Sequence, residues 1–218
     1  VIDQSALLYG DLVISEIMHN PELVEDKYGE WFEIYNPTSD GINLNGLIIS
    51  DANGSITIDE EVFIDGKSYF VVAARDEQTT YPLPQIDYSP FHKTVITGGL
   101  SLDNTSSLTL TNSVGVQIDT VSWSYTILGW PDCISDTDST LGAALSLTVL
   151  DADENDDSLN WIEASSSYGL GELGTPGSAN DFIRVGSNVE IGDVIISEVM
   201  VNGLNSSGVN DANEKWFE

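Results

Sequence analysis

The chain has 218 residues, and its 36 Asp plus Glu against six Lys plus Arg give a formal charge of −30. That balance argues against nucleic acid, whose recognition relies on cationic contacts to phosphate, and against anionic lipid, which the field would repel. Hydrophobic residues at 41% can build a core. No apolar run approaches the roughly 20 residues that span a bilayer, and the lone Cys133 excludes an intradomain disulfide or a Cys-rich metal site.

The N-terminus, VIDQSALLYG, has no initiator Met and no basic leader region. Both ends read as cut from a longer frame. The acidity points to cations as partners and suits a salty medium, where screening weakens self-repulsion. From there the chain reads as short β-rich runs divided by Gly, Asn, Asp, Ser and Pro. Strands are predicted at 11–18, 30–36, 44–50, 69–74, 106–111, 116–124 and 144–150. Turns are expected at Asn36-Pro37, Asp40-Gly41, Asn53-Gly54, Asp65-Gly66 and Gly98-Gly99. The run Tyr69–Ala74 is apolar on both faces, which predicts a central strand. The stretch 76–92, with three prolines, is expected to be a surface crossing, and 151–158 an acidic loop. Turn chemistry at 173–180 closes the domain.

A repeat then sets the organisation. Gly10–Asn20 reads GDLVISEIMHN and Gly192–Asn202 reads GDVIISEVMVN, with seven of eleven positions identical. Each copy is followed by Trp-Phe-Glu, at Trp31–Glu33 and Trp216–Glu218. The expected layout is a β domain at 1–180, a linker at 181–192, and at 193–218 the truncated start of a second copy.

The ordered pieces Val13–Met18, Gly29–Pro37, Leu44–Asp51, Gly66–Asp76, Asn160-Trp161 and Gly174–Gly177 resemble the lamin-tail domain family in its bacterial form. The likeness runs over about 12–180, with 193–218 matching only the opening. It implies an all-β, immunoglobulin-like β-sandwich. It also implies a secreted or surface-attached module, often repeated or joined to nucleases or phosphoesterases, with no catalytic residues of its own. The segments 76–105 and 125–143 depart from the family pattern.

Six groups of side chains come into question for chemistry. Glu16 and Glu33 recur as Glu198 and Glu218. Alternation puts Leu12, Ile14, Glu16 and Met18 on one face, and Trp31, Glu33 and Tyr35 on one face. A carboxylate so placed needs a partner. It is either half of a cation or acid–base pair, or an architectural group satisfied by backbone N–H groups or a Thr; recurrence in a repeat favours architecture. The loop Asp151–Asp157 offers oxygen ligands of the kind Ca²⁺ wants. Asp151, Asp153, Asp156 and Asp157 are the expected metal residues, although Asp156 stands where an EF-hand loop needs Gly. The alternative is a solvated turn whose side chains cap their own backbone. Asp132, Asp136 and Asp138 form a weaker cluster of the same type. His19 and His92 are too far apart for a zinc site and read as surface or edge residues. Cys133 sits among acids that would raise its pKa, the wrong direction for a nucleophile. Trp31 and Trp216 read as core; Trp130, in the 125–143 segment, is the candidate platform for stacking on a sugar.

These readings predict a non-enzymatic extracellular or cell-surface module with no required cofactor and with Ca²⁺ as the candidate ligand. Its partner would be a protein, a cell surface or a glycan. The strand at 193–200 is expected to pair with another chain or with an edge of the first domain, giving self-association through 193–218. The alternative is a calcium- or glycan-binding accessory module attached to a secreted hydrolase.

Overall fold

The computed structural model describes residues 1–74, 83–89, 100, 102–124, 129–131 and 142–183, and in a C-terminal unit 199–200, 203–204, 210–211 and 216–217. The chain divides into two units, Val1–Arg184 and Val185–Glu218. The first carries β1 (Ile2–Asp3), β2 (Val13–Met18), β3 (Trp31–Tyr35), β4 (Ile42–Asn43), β5 (Ile48–Ser50), β6 (Ser55–Thr57) and β7 (Phe63–Ile64). It continues with β8 (Tyr69–Ala73), β9 (Thr105–Thr111), β10 (Gln117–Ser124), β11 (Leu145–Leu147), β12 (Trp161–Glu163), β13 (Ser167–Tyr168) and β14 (Glu172–Leu173). Helix among the described residues is confined to the single turn Asp26–Gly29 and two 3-10 turns, Gln4–Ala6 and Ser158–Asn160.

Two antiparallel sheets form an immunoglobulin-like sandwich. One has the order β12-β11-β2-β3-β8, the other β10-β9-β5-β6. Alternation explains how they meet. Along β9 the buried residues are Ser106, Leu108 and Leu110, every second position. Leu108 and Leu110, with Ile49, Ile118, Val121 and Trp123, face Ile14, Ile17, Phe32, Ile34, Phe70 and Val72 of the other sheet in one core. A small sheet, β1-β4-β7, pairs β1 with β4 in parallel and β4 with β7 antiparallel.

A second, smaller cluster lies on the opposite face of the five-stranded sheet. It comprises Met18, Trp31, Val71, Ala73, Ala144 and Ala164, with Leu83, Ile86 and Tyr168 packed against it. This cluster accounts for a difference from the sequence expectation. The strand at Tyr69–Ala73 is apolar on both faces, yet it is the last in its sheet rather than central. Both faces are covered because Phe70 and Val72 enter the sandwich core while Val71 and Ala73 enter the second cluster. Its outer edge is covered too. Val72 bridges Tyr88 in parallel, the Asp87 and Tyr88 N–H groups donate to the Val71 carbonyl at 3.0 and 3.2 Å, and Ala73 N donates to Tyr88 O at 3.0 Å. The described part of the 76–92 stretch is therefore an edge cover, the kind of protection an otherwise open strand needs.

The C-terminal unit pairs β15 (Val199–Met200) with β18 (Trp216–Phe217), and β16 (Gly203–Leu204) with β17 (Asn210–Asp211). Its register repeats that of the first unit. Met18 opposes Trp31 and Ile17 opposes Phe32; Met200 opposes Trp216 and Val199 opposes Phe217. Residues 199–200, the described end of the strand expected at 193–200, pair with 216–217 inside this unit.

Candidate functional site

The repeat-encoded carboxylates are the natural starting point. In the β2–β3 register Ile14 opposes Ile34 and Glu16 opposes Glu33, leaving Ser15 as an extra residue. Such a bulge reverses the alternation beyond it. Ile14 and Ile17 therefore point into the sandwich, whereas Met18 points with Trp31 into the second cluster. Strict alternation had placed Ile14 and Glu16 on one face; the bulge puts them on opposite faces. The shared face of Trp31 and Glu33 stands.

Both glutamates are fully buried, and the run 174–180 lies across them. Glu16 accepts from the Thr175 N–H at 3.1 and 3.0 Å through its two oxygens, and its Oε2 accepts from the Thr175 hydroxyl at 3.0 Å. Glu33 Oε1 accepts from the Ser15 hydroxyl at 2.7 Å, and its Oε2 from the Gly177 N–H at 2.8 Å. Asn180 Nδ2 donates to the carbonyls of Ser15 and Leu147, both at 2.8 Å. The bulge explains why side chains are needed: it takes backbone groups out of the ladder, and buried ones must find other partners. Ser15 O finds Asn180, and Ile14 N donates to Asp119 Oδ2 at 2.6 Å. Gly177 has φ +82°, and a Cβ there would lie 2.3 Å from Gln85 Oε1, so glycine is required where the strap turns.

Burial raises both carboxyls. It pushes Glu16 up to about 8, with the Thr175 bonds pulling down and Asp181 adding a small push up. Glu33 is raised well above the ordinary range by burial and then by Glu16, against the pull of Ser15 and Gly177. These oxygens are met by the Thr175, Ser15 and Gly177 donors. The pair is thus a clasp for the strap at 174–180, the architectural alternative of the sequence reading.

Asp119 is a second buried acid, raised to about 7 by burial against its bonds to Ile14, Asn155 and Thr120. Asn155 Nδ2 donates to Asp119 Oδ2 at 2.8 Å, and the Asn155 carbonyl accepts from Trp161 Nε1 at 2.8 Å. Asn155 is buried and anchors the acidic loop to the sheet. Of the four expected metal residues, Asp151 Oδ1 accepts from Asp153 N at 2.8 Å, and Asp157 Oδ1 accepts from Leu159 N at 3.0 Å, capping the 3-10 turn. Asp153 and Asp156 are exposed, and Asp156 is raised by burial and by Asp153. Among the described residues no group of three or more His, Cys, Asp or Glu is gathered as a cation site.

Two expectations change. His19 is not a surface residue: it is 3% exposed, stacks on Trp123 at 6.2 Å between centroids, and meets Asn104 Oδ1 at 3.3 Å. Burial lowers it to about 4. Trp130 is half-buried against the core and tilted on Trp161 at 5.9 Å, so it is not a free platform. Trp31 is core, as expected, with Nε1 donating to the Tyr168 hydroxyl at 2.8 Å. His92, Cys133, Asp132, Asp136, Asp138, Glu198 and Glu218 lie outside the described residues.

Sequence reasoning did not single out Thr175 and Gly177 as the donors to Glu16 and Glu33, or Asn180 and Asp119 as the partners of the Ser15 carbonyl and the Ile14 N–H. The available signal for Asp119 was a charge inside an otherwise apolar and Ser/Thr strand. For the strap there was only its turn chemistry. In comparison with known proteins, the family model described as Lamin Tail Domain matches residues 7–125. No curated protein matches the chain.

Proposed function

The chain belongs to the lamin tail domain family, and from that premise we propose that it is a non-catalytic structural and interaction module of a larger, repeat-bearing exported protein. It spaces or presents neighbouring domains at the cell exterior, towards a protein or cell-surface partner. The observation that carries this reading is the clasp. The buried acids that the repeat preserves spend their oxygens on Thr175, Ser15 and Gly177, so they serve the fold of each copy rather than a substrate. The repeat at Gly192–Asn202 and the charge of −30 support an array of mutually repelling copies in a salty exterior. Self-association through 193–218 belongs to the same proposal.

The test is an array of one, two and three copies of residues 1–191. Small-angle scattering should show a maximum dimension that grows by a constant step per copy. Copies that collapse onto one another, or hydrolysis of nucleic acid or phosphoester by a single copy, would remove the reading.

A second reading places Ca²⁺ at Asp151, Asp153, Asp156 and Asp157. It is favoured by the crowding of negative charge at that corner: Asp153 raises Asp156, and burial followed by Asp153, Asp119 and Asp156 raises Tyr9 to about 12. Ca²⁺ at millimolar concentration should then raise the melting temperature beyond matched NaCl, and Asp151→Asn/Asp153→Asn should abolish the excess. Equal gains from both salts would leave the loop as a turn that caps its own backbone.

A further inference from the structure

A cleft of about 500 Å³ opens on the first unit between the β7–β8 turn, the edge segment 85–87 and the strap at 177–179. Its volume lies in the range of small-molecule sites, and neither the clasp nor the acidic loop uses it. Six side chains define its chemistry: Phe63, Asp65, Lys67, Tyr69, Gln85 and Asp87. Phe63 is 49% exposed, a flat ring left out of the core at the wall of a cavity. Tyr69 is half-buried and braced by Tyr35, ring centroids 4.9 Å apart.

The polar groups are held rather than loose. Asp87 Oδ2 accepts from Val71 N at 2.8 Å and from Gln85 Nε2 at 2.6 Å. Gln85 Nε2 also reaches the Tyr69 carbonyl at 3.4 Å. Lys67 sits in the left-handed region at φ +58°, its N–H shared between the carbonyls of Asn36 and Thr38 and its ammonium donating to Pro37 O. A non-glycine residue persists there only where its surroundings hold it.

We propose that this cleft binds a neutral saccharide. A sugar presents a C–H face that an exposed ring can cover, and hydroxyls that both donate and accept. Asp65 and Asp87 accept from hydroxyls, and the Gln85 amide can do either. The same carboxylates, in a chain of −30, repel sulfated or uronic polymers. A basic peptide is the competing occupant, attracted by charge alone. The sugar face therefore lies at Phe63 and Tyr69, not at Trp130. The site goes beyond the structural role proposed above and does not depend on it.

Saturation-transfer NMR on the whole chain tests the site. The probes are hexamers of glucose (β- and α-linked), mannose, xylose and N-acetylglucosamine, with oligogalacturonate and an oligolysine peptide for contrast. At least one neutral hexamer should receive saturation, and titration should locate it by shifts at Phe63 and Tyr69. Phe63→Ala and Asp65→Asn each should weaken that binding by about tenfold, with unchanged melting temperature, whereas Trp130→Ala should not. Three results would overturn the site. One is no neutral hexamer bound at millimolar concentration. Another is binding that survives Phe63→Ala in a folded chain. The third is capture of oligolysine alone.

Discussion

At the scale of single residues, the clasp decides how the acids behave. Glu16 carries two donor groups of Thr175. Removing an acceptor from buried donors costs the full desolvation of the orphans, about 1–3 kcal/mol. Glu16→Ala should therefore destabilise the domain by about 2–3 kcal/mol, more than Thr175→Val, which removes only the hydroxyl and should cost about 1 kcal/mol. The two changes share one interaction, so urea unfolding of the double variant should give a coupling of about 0.5–3 kcal/mol. Additive effects would mean that Thr175 and Glu16 do not act together. Asn155→Ala should cost a similar amount, because the buried Asp119 loses a donor; a loss below about 0.5 kcal/mol would place Asn155 with ordinary surface positions.

At the scale of elements, the strands were legible because their signal is local. All seven predicted strands exist with ends that differ by at most four residues, because short runs of Val, Ile, Leu, Thr and aromatic residues between Gly, Asn, Asp and Pro mark a strand whether it buries one face, as β9 does, or both, as β2, β3 and β8 do. Parity was not legible. A bulge at Ser15 moves Glu16 to the other face without altering the composition of β2. Nor was the place of β8. Its two-sided burial reads as central, yet it comes from an edge segment, 86–88, and from a second cluster, both built by residues far away in sequence. The short strands β1, β4, β6, β7 and β12–β14 escaped because two or three residues carry no period. The strap at 174–180 shows the same limit: Gly-Thr-Pro-Gly announces a turn, but its partners lie 144 and 159 residues away. The same run predicts a mutation. Any side chain at Gly177 meets Gln85 and adopts a left-handed backbone, so Gly177→Val should loosen the strap and lower the melting temperature by several degrees, about 1–3 kcal/mol.

At the scale of the molecule, buried acids set the response to pH. Burial raises Glu16 to about 8, and Glu30 and Asp119 to about 7, and it raises Glu33 as well. A carboxyl raised in the folded state binds its proton there while the unfolded chain has released it. Its contribution is present below the unfolded value, near 4.5, and is lost as pH rises through the folded value. His19 acts in the other direction: lowered to about 4, it contributes above about 6.5 and loses that contribution as pH falls towards 4. Four acids against one histidine, in a chain that sheds repulsion as its carboxylates protonate, predict a melting temperature highest near pH 4–5 and falling steadily towards pH 8. A curve that rises from pH 5 to pH 8 would contradict this and would mean that the donors at Glu16 and Glu33 outweigh burial.

The central claim is that Glu16 and Glu33 lock the strap at 174–180 onto the five-stranded sheet of the first unit. Amide hydrogen exchange at Thr175 and Gly177 tests it directly. Both N–H groups donate to buried carboxylates, so in the native chain they should exchange as slowly as the amides of β2 and β3. In Glu16→Ala, Thr175 should exchange much faster while β9 and β10 keep their protection. Exchange at Thr175 and Gly177 as fast as in exposed loops of the native chain, or unchanged at Thr175 in the variant, would contradict the claim.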